Sequence, residues 1–195
     1  MEASNRLTVL HVGCGREQVH SLFRDGRWRE LRLDIDATVA PDIVASLTDM
    51  QSVADMSMDA VYSSHNLEHL YAHEVPVGLR EFLRVLKPTG FALIGVPDLQ
   101  AAAELIVADK LTEPAYTSPA GPVTPIDMLY GFRSFLAAGN HFMAHHTGFT
   151  AKSLIEEIIG AGFAWVKVAK DDGLNLWAKA YKTHPDEDTA SAPLW

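Results

Sequence analysis

The chain has 195 residues, 48% of them hydrophobic, which suffices for one sizeable core and makes a single domain over residues 1–182 the simplest organisation. Its 25 acidic residues outnumber 16 basic ones, so the surface repels phosphate backbones and no nucleic-acid partner is expected. A lone cysteine excludes an internal disulfide, the first residues are too polar for a signal peptide, and no apolar stretch approaches the roughly 20 residues that span a bilayer, so a cytoplasmic protein without a membrane partner is expected.

Short apolar, partly β-branched runs at residues 7–12, 31–35, 42–46, 59–64 and 91–96, bounded by Gly, Pro or Asp, predict strands. The first breaks at Gly13, Cys14 and Gly15. Arg24, Arg27, Arg29 and Arg32 form the one basic cluster and read as a solvated helix end and strand start. In "VPVGLREFLRVLKPTG" Leu79, Phe82, Leu83 and Leu86 recur at helical spacing; Pro76 suits the first turn, and Pro88 with Gly90 stops the helix. Strand, helix, strand in this order predicts a parallel sheet with helices on both sides and right-handed crossovers.

After Pro97, "DLQAAAELIVADK" reads as a helix. Residues 110–149 then read as irregular, because "LTEPAYTSPAGPVTPIDMLYG" holds four of the ten prolines. Thr150 is placed to cap a helix burying Leu154, Ile155, Ile158 and Ile159 and ending at Gly160 or Gly162. Strands at residues 163–169 and 174–181 can pair as an antiparallel hairpin across "KDDG", and the acidic tail 183–195 is expected to be disordered.

A strand ending in two glycines lets a ligand touch the backbone. The dinucleotide fingerprint needs a third glycine three residues on, beside a pyrophosphate; that position is Gln18, which also weakens a nicotinamide enzyme. Asp34, nineteen residues after Gly15 at the end of the next strand, is placed to accept hydrogen bonds from both hydroxyls of a ribose. Glycines and a ribose carboxylate without the pyrophosphate signature suit an adenosine ligand whose other end is not phosphate, of which S-adenosylmethionine is the common one.

The strings "LHVGCG", "LDID", "MDAVYSSHNLEHL" and "LREFLRVLKPTGFALIGVPD" resemble the class I S-adenosylmethionine-dependent methyltransferases, especially a small bacterial type. The likeness runs from Leu7 to Pro97 and is weaker at "HTGFTAKSL". The resemblance implies a Rossmann-like, doubly wound α/β fold: a seven-stranded, mostly parallel sheet with an antiparallel last strand and helices on both faces. It implies Gly13, Cys14 and Gly15 around the methionine part of S-adenosyl-L-methionine, Asp34 on the ribose and Ile35 against the adenine. Ser46, Leu47, Thr48 and Asp49 would border the adenine edge, with Ser64 and His65 near the sulfonium. The chain departs from the family at His11 and Ser46, where acidic residues are usual, and at Glu17, where glycine often follows. Methyl transfer to an unidentified small-molecule acceptor is implied, with a cofactor-binding protein lacking turnover as the alternative.

The nine histidines supply the remaining chemistry. "HNLEH", His65 to His69, matches H-x-x-E-H of one class of zinc peptidases, in which Glu68 would be a general base and His141, His145 or His146 a third ligand. That motif needs the middle of a long helix, whereas here it directly follows "AVYSS" and precedes Pro76, so zinc hydrolysis is the lesser alternative and no metal is expected. A methyl acceptor that carries a proton needs a base; His65, His141 and His145 are the candidates, the last two sharing a face if their segment is helical. An acceptor already ionised needs none. Cys14 reads as a small cradle residue rather than a nucleophile, and Met50, Met56 and Met58 as packing.

Overall fold

The computed structural model describes residues 6–194, so residues 1–5 of the expected domain and Trp195 of the expected tail lie outside the described residues. In chain order the strands are β1 (Leu7–Val12), β2 (Trp28–Asp34), β3 (Ile43–Val44), β4 (Met58–Ser64), β5 (Leu86–Pro97), β6 (Tyr116–Ser118), β7 (Gly121–Val123), β8 (Trp165–Lys170) and β9 (Asn175–Tyr181). Seven of them form one sheet in the order β3-β2-β1-β4-β5-β9-β8, while β6 and β7 pair as a separate hairpin. Neighbours among the first five are parallel, and β9 runs antiparallel between β5 and β8. This is the doubly wound, Rossmann-like arrangement, with the chain reversing its direction of travel across the sheet between β1 and β4.

Side chains alternate across the sheet with the two-residue period of a strand. Leu10, Val12, Val61, Ile94 and Ala178 face one core, closed by helices α1 (Val75–Val85) and α5 (Ala151–Gly160). Val9, Tyr62, Leu93 and Trp177 face the other, where Phe23 packs edge-on against Trp28 at 5.0 Å. The two faces are unequally covered. Between β1 and β2, where the sequence predicts a helix end at Arg24, the chain makes only the 3-10 turn Ser21–Phe23, because Val19 and Phe23 are the apolar residues buried there.

Other boundaries shift for reasons of pairing. Strand β2 begins at Trp28 because Leu7 pairs with it, and β3 shrinks to two residues that pair with Leu33 and Asp34. Leu86, predicted as helix, starts β5 opposite Met58, so Pro88 and Gly90 fall within a register irregularity of that strand rather than in a loop. Met50 and Met58 are buried as predicted, but Met56 is 57% exposed with a φ of 51°.

The proline-rich segment is more ordered than its composition suggests. Helix α2 (Leu99–Val107) is capped by Asp98, whose Oδ1 accepts from Gln100 N at 3.0 Å. The β6–β7 hairpin, α3 (Pro125–Tyr130) and α4 (Arg133–Ala137) then come in turn. Pro125 occupies the first turn of α3, where no amide hydrogen is needed, and Thr124 and Asp127 form a reciprocal capping box. Thr150 caps α5 through Ser153 N as predicted, but only Leu154 and Ile158 are buried; Ile155 and Ile159 are 37% and 45% exposed, because the helix presents a narrow stripe to the sheet. The tail departs from the expected disorder. Helix α6 (Glu187–Ser191) is capped by Asp186, and Leu194 is buried on the aromatic face. Among the described residues no helix is long and apolar enough to cross a membrane.

Asp127 offers a stability test. Burial pushes its carboxyl up, but the Arg133 guanidinium and the Thr124 hydroxyl and amide outweigh this and hold it at about 2, below the ordinary 3.8. A depressed carboxylate adds stability above the unfolded value and loses it as pH falls from 3.8 through 2, about 2 kcal/mol in all. Urea titrations should therefore show Asp127→Asn less stable than wild type by about 2 kcal/mol at neutral pH, with the gap closing across that acid window. Equal stability at neutral pH contradicts this.

Candidate functional site

The carboxyl ends of β1, β2 and β4 open onto a cavity of about 720 Å³ at the point where strand order reverses. Gly13, Cys14, Gly15, Asp34 and Ile35 line one side, and Ser46, Leu47, Ser64 and His65 line the other. Thr48 and Asp49 do not line it: Asp49 N donates to Ser46 O at 3.0 Å and Ser46 Oγ lies 2.8 Å from Thr48 Oγ1, so the turn closes on itself.

The two glycines are needed for different reasons. Gly13 has a φ of +61°, and a Cβ there would overlap the amide of Asn66. Gly15 has a φ of +48° with nothing within 4 Å of its would-be Cβ, so the space beside it in the cavity stays open. Asn66, which sequence reasoning missed, donates from Nδ2 to Val12 O at 3.0 Å and to Ser64 O at 3.0 Å, joining the ends of β1 and β4. Cys14 is fully buried between the glycines, and burial pushes its thiol up, which fits a packing role.

Asp34 ends β2 facing this turn. Its Oδ2 accepts from Gly15 N at 2.7 Å and its Oδ1 from Asp36 N at 2.9 Å, so the carboxylate is fixed while each oxygen retains a lone pair. Arg32, expected as a solvated member of the basic cluster, instead clamps the turn from outside, donating to Gly15 O at 2.7 Å and Glu17 O at 3.0 Å. Arg27 pairs with Asp25. His11, where an acidic residue is usual, is buried and lies 2.7 Å from Glu30 Oε1; burial lowers its pKa against the pull of Glu30, and Glu30 also accepts from Arg32.

A second cavity of about 540 Å³ adjoins the first, sharing Gly13, Ser64, His65 and His69 with it. The β6–β7 hairpin and α3 supply Tyr116, Asp127 and Met128 to its walls. His65 stands at the junction with a φ of 56°, held there by its amide bond to Gly95 O at 2.9 Å. Its Nδ1 lies 3.2 Å from Glu68 Oε1. Burial pulls this imidazole down, but the contact with Glu68 and its charge outweigh that and set it above the ordinary value.

The other histidines separate. His145 lines the second cavity, while His141 and His146 line the first. His141–Met143 is a single 3-10 turn followed by extended backbone at Ala144, so His141 and His145 do not share a helical face. The H-x-x-E-H hydrolase geometry is likewise not formed: His65 ends a strand segment in left-handed backbone and Leu67–His69 is one 3-10 turn, so no long helix presents the two imidazoles together.

Comparison with known proteins bears on this geometry. Residues 10–94 match the family described as a methyltransferase domain. No curated protein matches the chain significantly. Among solved structures it is similar to the citrinin polyketide synthase CMeT domain, at 13% identity over 95% of this chain and 48% of that one with a TM-score of 0.61. It is also similar to a SAM dependent methyltransferase from Archaeoglobus fulgidus, at 16% identity over 91% of this chain and 86% of that one with a TM-score of 0.61. A third similar structure is the 1,6-didemethyltoxoflavin-N1-methyltransferase of Burkholderia thailandensis, with bound 1,6-didemethyltoxoflavin and S-adenosylhomocysteine, at 18% identity over 92% of this chain and 73% of that one with a TM-score of 0.57. The chain spans about half the length of the first of these, and at such identities the likeness shows a common fold.

Proposed function

We propose that this chain is a class I S-adenosylmethionine-dependent methyltransferase, with S-adenosylmethionine as cofactor, and that it methylates an oxygen or nitrogen of a small molecule held in the second cavity. The observation that carries this reading is the junction at His65, where the cavity lined by the Gly13 to Gly15 turn and Asp34 meets a second one of small-molecule size. The cofactor fits the first cavity on two counts: the space beside Gly15 is unobstructed, and the fixed Asp34 carboxylate can accept from ribose hydroxyls. When bound, the cofactor supplies an electrophilic methyl group on sulfur, displaced in line by the acceptor.

The chain's own residues do the rest. The Gly13 to Gly15 turn and Asp34 fix one reactant, and the walls around Tyr116 and Met128 enclose the other and exclude water. His65, with Nδ1 occupied by Glu68, has Nε2 to take the proton that a hydroxyl or ammonium acceptor must lose. Glu68 acts through His65 as a positioning residue. The acidic balance and the pairing of Arg27 and Arg32 within the chain favour a metabolite over a nucleic acid, and the buried lone cysteine suits a cytoplasmic setting.

Incubating the protein with methyl-labelled S-adenosylmethionine and a fractionated cell extract tests this. Label is expected in the low-molecular-weight ultrafiltrate; label in RNA or protein, or cofactor binding with no transfer to any fraction, contradicts it. Because His65 must be neutral to act and its pKa is raised, transfer to a protonated acceptor should climb with pH and level off above the ordinary histidine value of 6.5. A pH profile in which His65→Gln keeps the same limb would remove His65 from the role.

A further inference from the structure

We propose that Glu68, His69 and His145 form a binding site for a divalent transition-metal cation of the zinc type, opening into the second cavity. The three side chains converge although they come from a 3-10 turn and a distant loop, with one potential ligand atom from each lying within 4.8 Å of the others. Donors about 2.0–2.1 Å from a tetrahedral zinc ion stand about 3.3 Å apart, so binding draws the three side chains together by up to about 1.5 Å.

Glu68 points to a ligand independently of that convergence. It is 1% exposed; its Oε1 pairs with the His65 ring, and its Oε2 has no hydrogen-bond partner among the described residues. A buried carboxylate oxygen without a partner is costly unless something cationic completes it. The His65 ring, 3.2 Å from Oε1, supplies part of that on one side and leaves the other oxygen to the cluster.

The imidazoles are set up as metal-binding histidines are. His69 Nδ1 lies 3.0 Å from Ala144 O and His145 Nδ1 lies 2.9 Å from Met128 O. A carbonyl oxygen only accepts, so each Nδ1 carries the hydrogen and each Nε2 presents a lone pair. The two rings stand 5.0 Å apart, centre to centre. Two neutral imidazoles and one carboxylate form a set suited to zinc or a similar borderline ion, with positions left open. Glu68, His69 and His145 all line the second cavity, so an acceptor oxygen can occupy such a position. This last step rests on the reading that the cavity receives the acceptor; binding of the cation itself does not.

The arrangement differs from the zinc-peptidase pattern in the sequence. There His65 and His69 would be ligands and Glu68 a base, whereas here the carboxylate is a ligand and the partner histidine comes from residue 145.

Equilibrium dialysis of chelator-treated protein against buffered Zn²⁺ tests the site, with one equivalent expected per chain. His145→Ala, His69→Ala and Glu68→Gln should each weaken binding at least about tenfold, and His184→Ala, a change in the tail, should leave it unaltered. Co²⁺ should give visible absorption bands that vanish in His145→Ala. S-adenosylhomocysteine affinity, measured by calorimetry on the same samples, reports separately on the cofactor pocket, so its loss counts against that reading and not against the cation. If Glu68→Gln does not fold, the histidine variants decide alone. No zinc bound, or zinc retained by His69→Ala and His145→Ala at wild-type affinity, overturns the proposal.

Discussion

Asp34→Ala should weaken S-adenosylhomocysteine binding about a hundredfold, an effect of about 3 kcal/mol expected from losing two hydrogen bonds to a charged acceptor. Both carboxylate oxygens matter. Each is held by one backbone amide, Gly15 N on Oδ2 and Asp36 N on Oδ1, which leaves each free to take one hydroxyl of a vicinal diol without reorganising. Alanine removes the acceptor and also releases Gly15 N, so the turn loses its tether across from β2. Asparagine separates the two contributions: it keeps the shape and one acceptor oxygen, and an intermediate loss of about tenfold is expected. Calorimetric titration checks both variants, and an unchanged dissociation constant in Asp34→Ala contradicts the placement of the ribose.

Gly13→Ala should cost about 3–5 kcal/mol of stability, a large share of the 5–15 kcal/mol that holds a typical domain together. A left-handed φ of +61° costs a residue with a Cβ about 1–2 kcal/mol. The Cβ would also displace the Asn66 amide, which bonds Val12 O, Ser63 Oγ and Ser64 O and so fastens two central strands. Gly15→Ala makes the contrast. Its φ of +48° carries the same backbone cost, but the new methyl meets open space, so the loss should stay near about 1–2 kcal/mol. Cofactor affinity should fall instead, because that methyl would enter the space in which the proposed cofactor lies. Urea unfolding and calorimetry on the two variants check this; equal stability losses would mean that Asn66 does not govern Gly13.

The features legible in the sequence were local. The run into Gly13, the carboxylate at Asp34 and the Thr150 cap are each set by a few neighbouring residues, and all stand where the pattern puts them. The hairpin and short helices of residues 110–149 were hidden because a proline marks a break in regular structure without specifying the next element. Pro125 at a helix start and Pro122 in a hairpin strand look alike in sequence. Ile155 and Ile159 misled for a related reason: helical spacing shows which residues share a face, and the width of the buried stripe depends on what packs there.

At the site, the residues missed act across the fold. Arg32 reads as surface charge until β2 lies beside β1 and brings its guanidinium under the carbonyls of Gly15 and Glu17. Asn66 has no signature beyond its place after a strand. The convergence of Glu68 and His69 with His145 requires the loop after α4 to return over the end of β4, and its backbone does so through His146 N and Thr147 N, which both donate to Glu68 O. Spacing suggested His65 as the partner of Glu68 and His69, and only the tertiary path puts His145 there instead.

The most direct test is a crystal structure of the protein with S-adenosylhomocysteine. The sugar hydroxyls should rest on Asp34 and the amino-acid end along the Gly13 to Gly15 turn, with the sulfur exposed toward His65 and the cavity beyond it. A ligand seated away from Asp34, or one whose sulfur is walled off from that second cavity, would contradict the account.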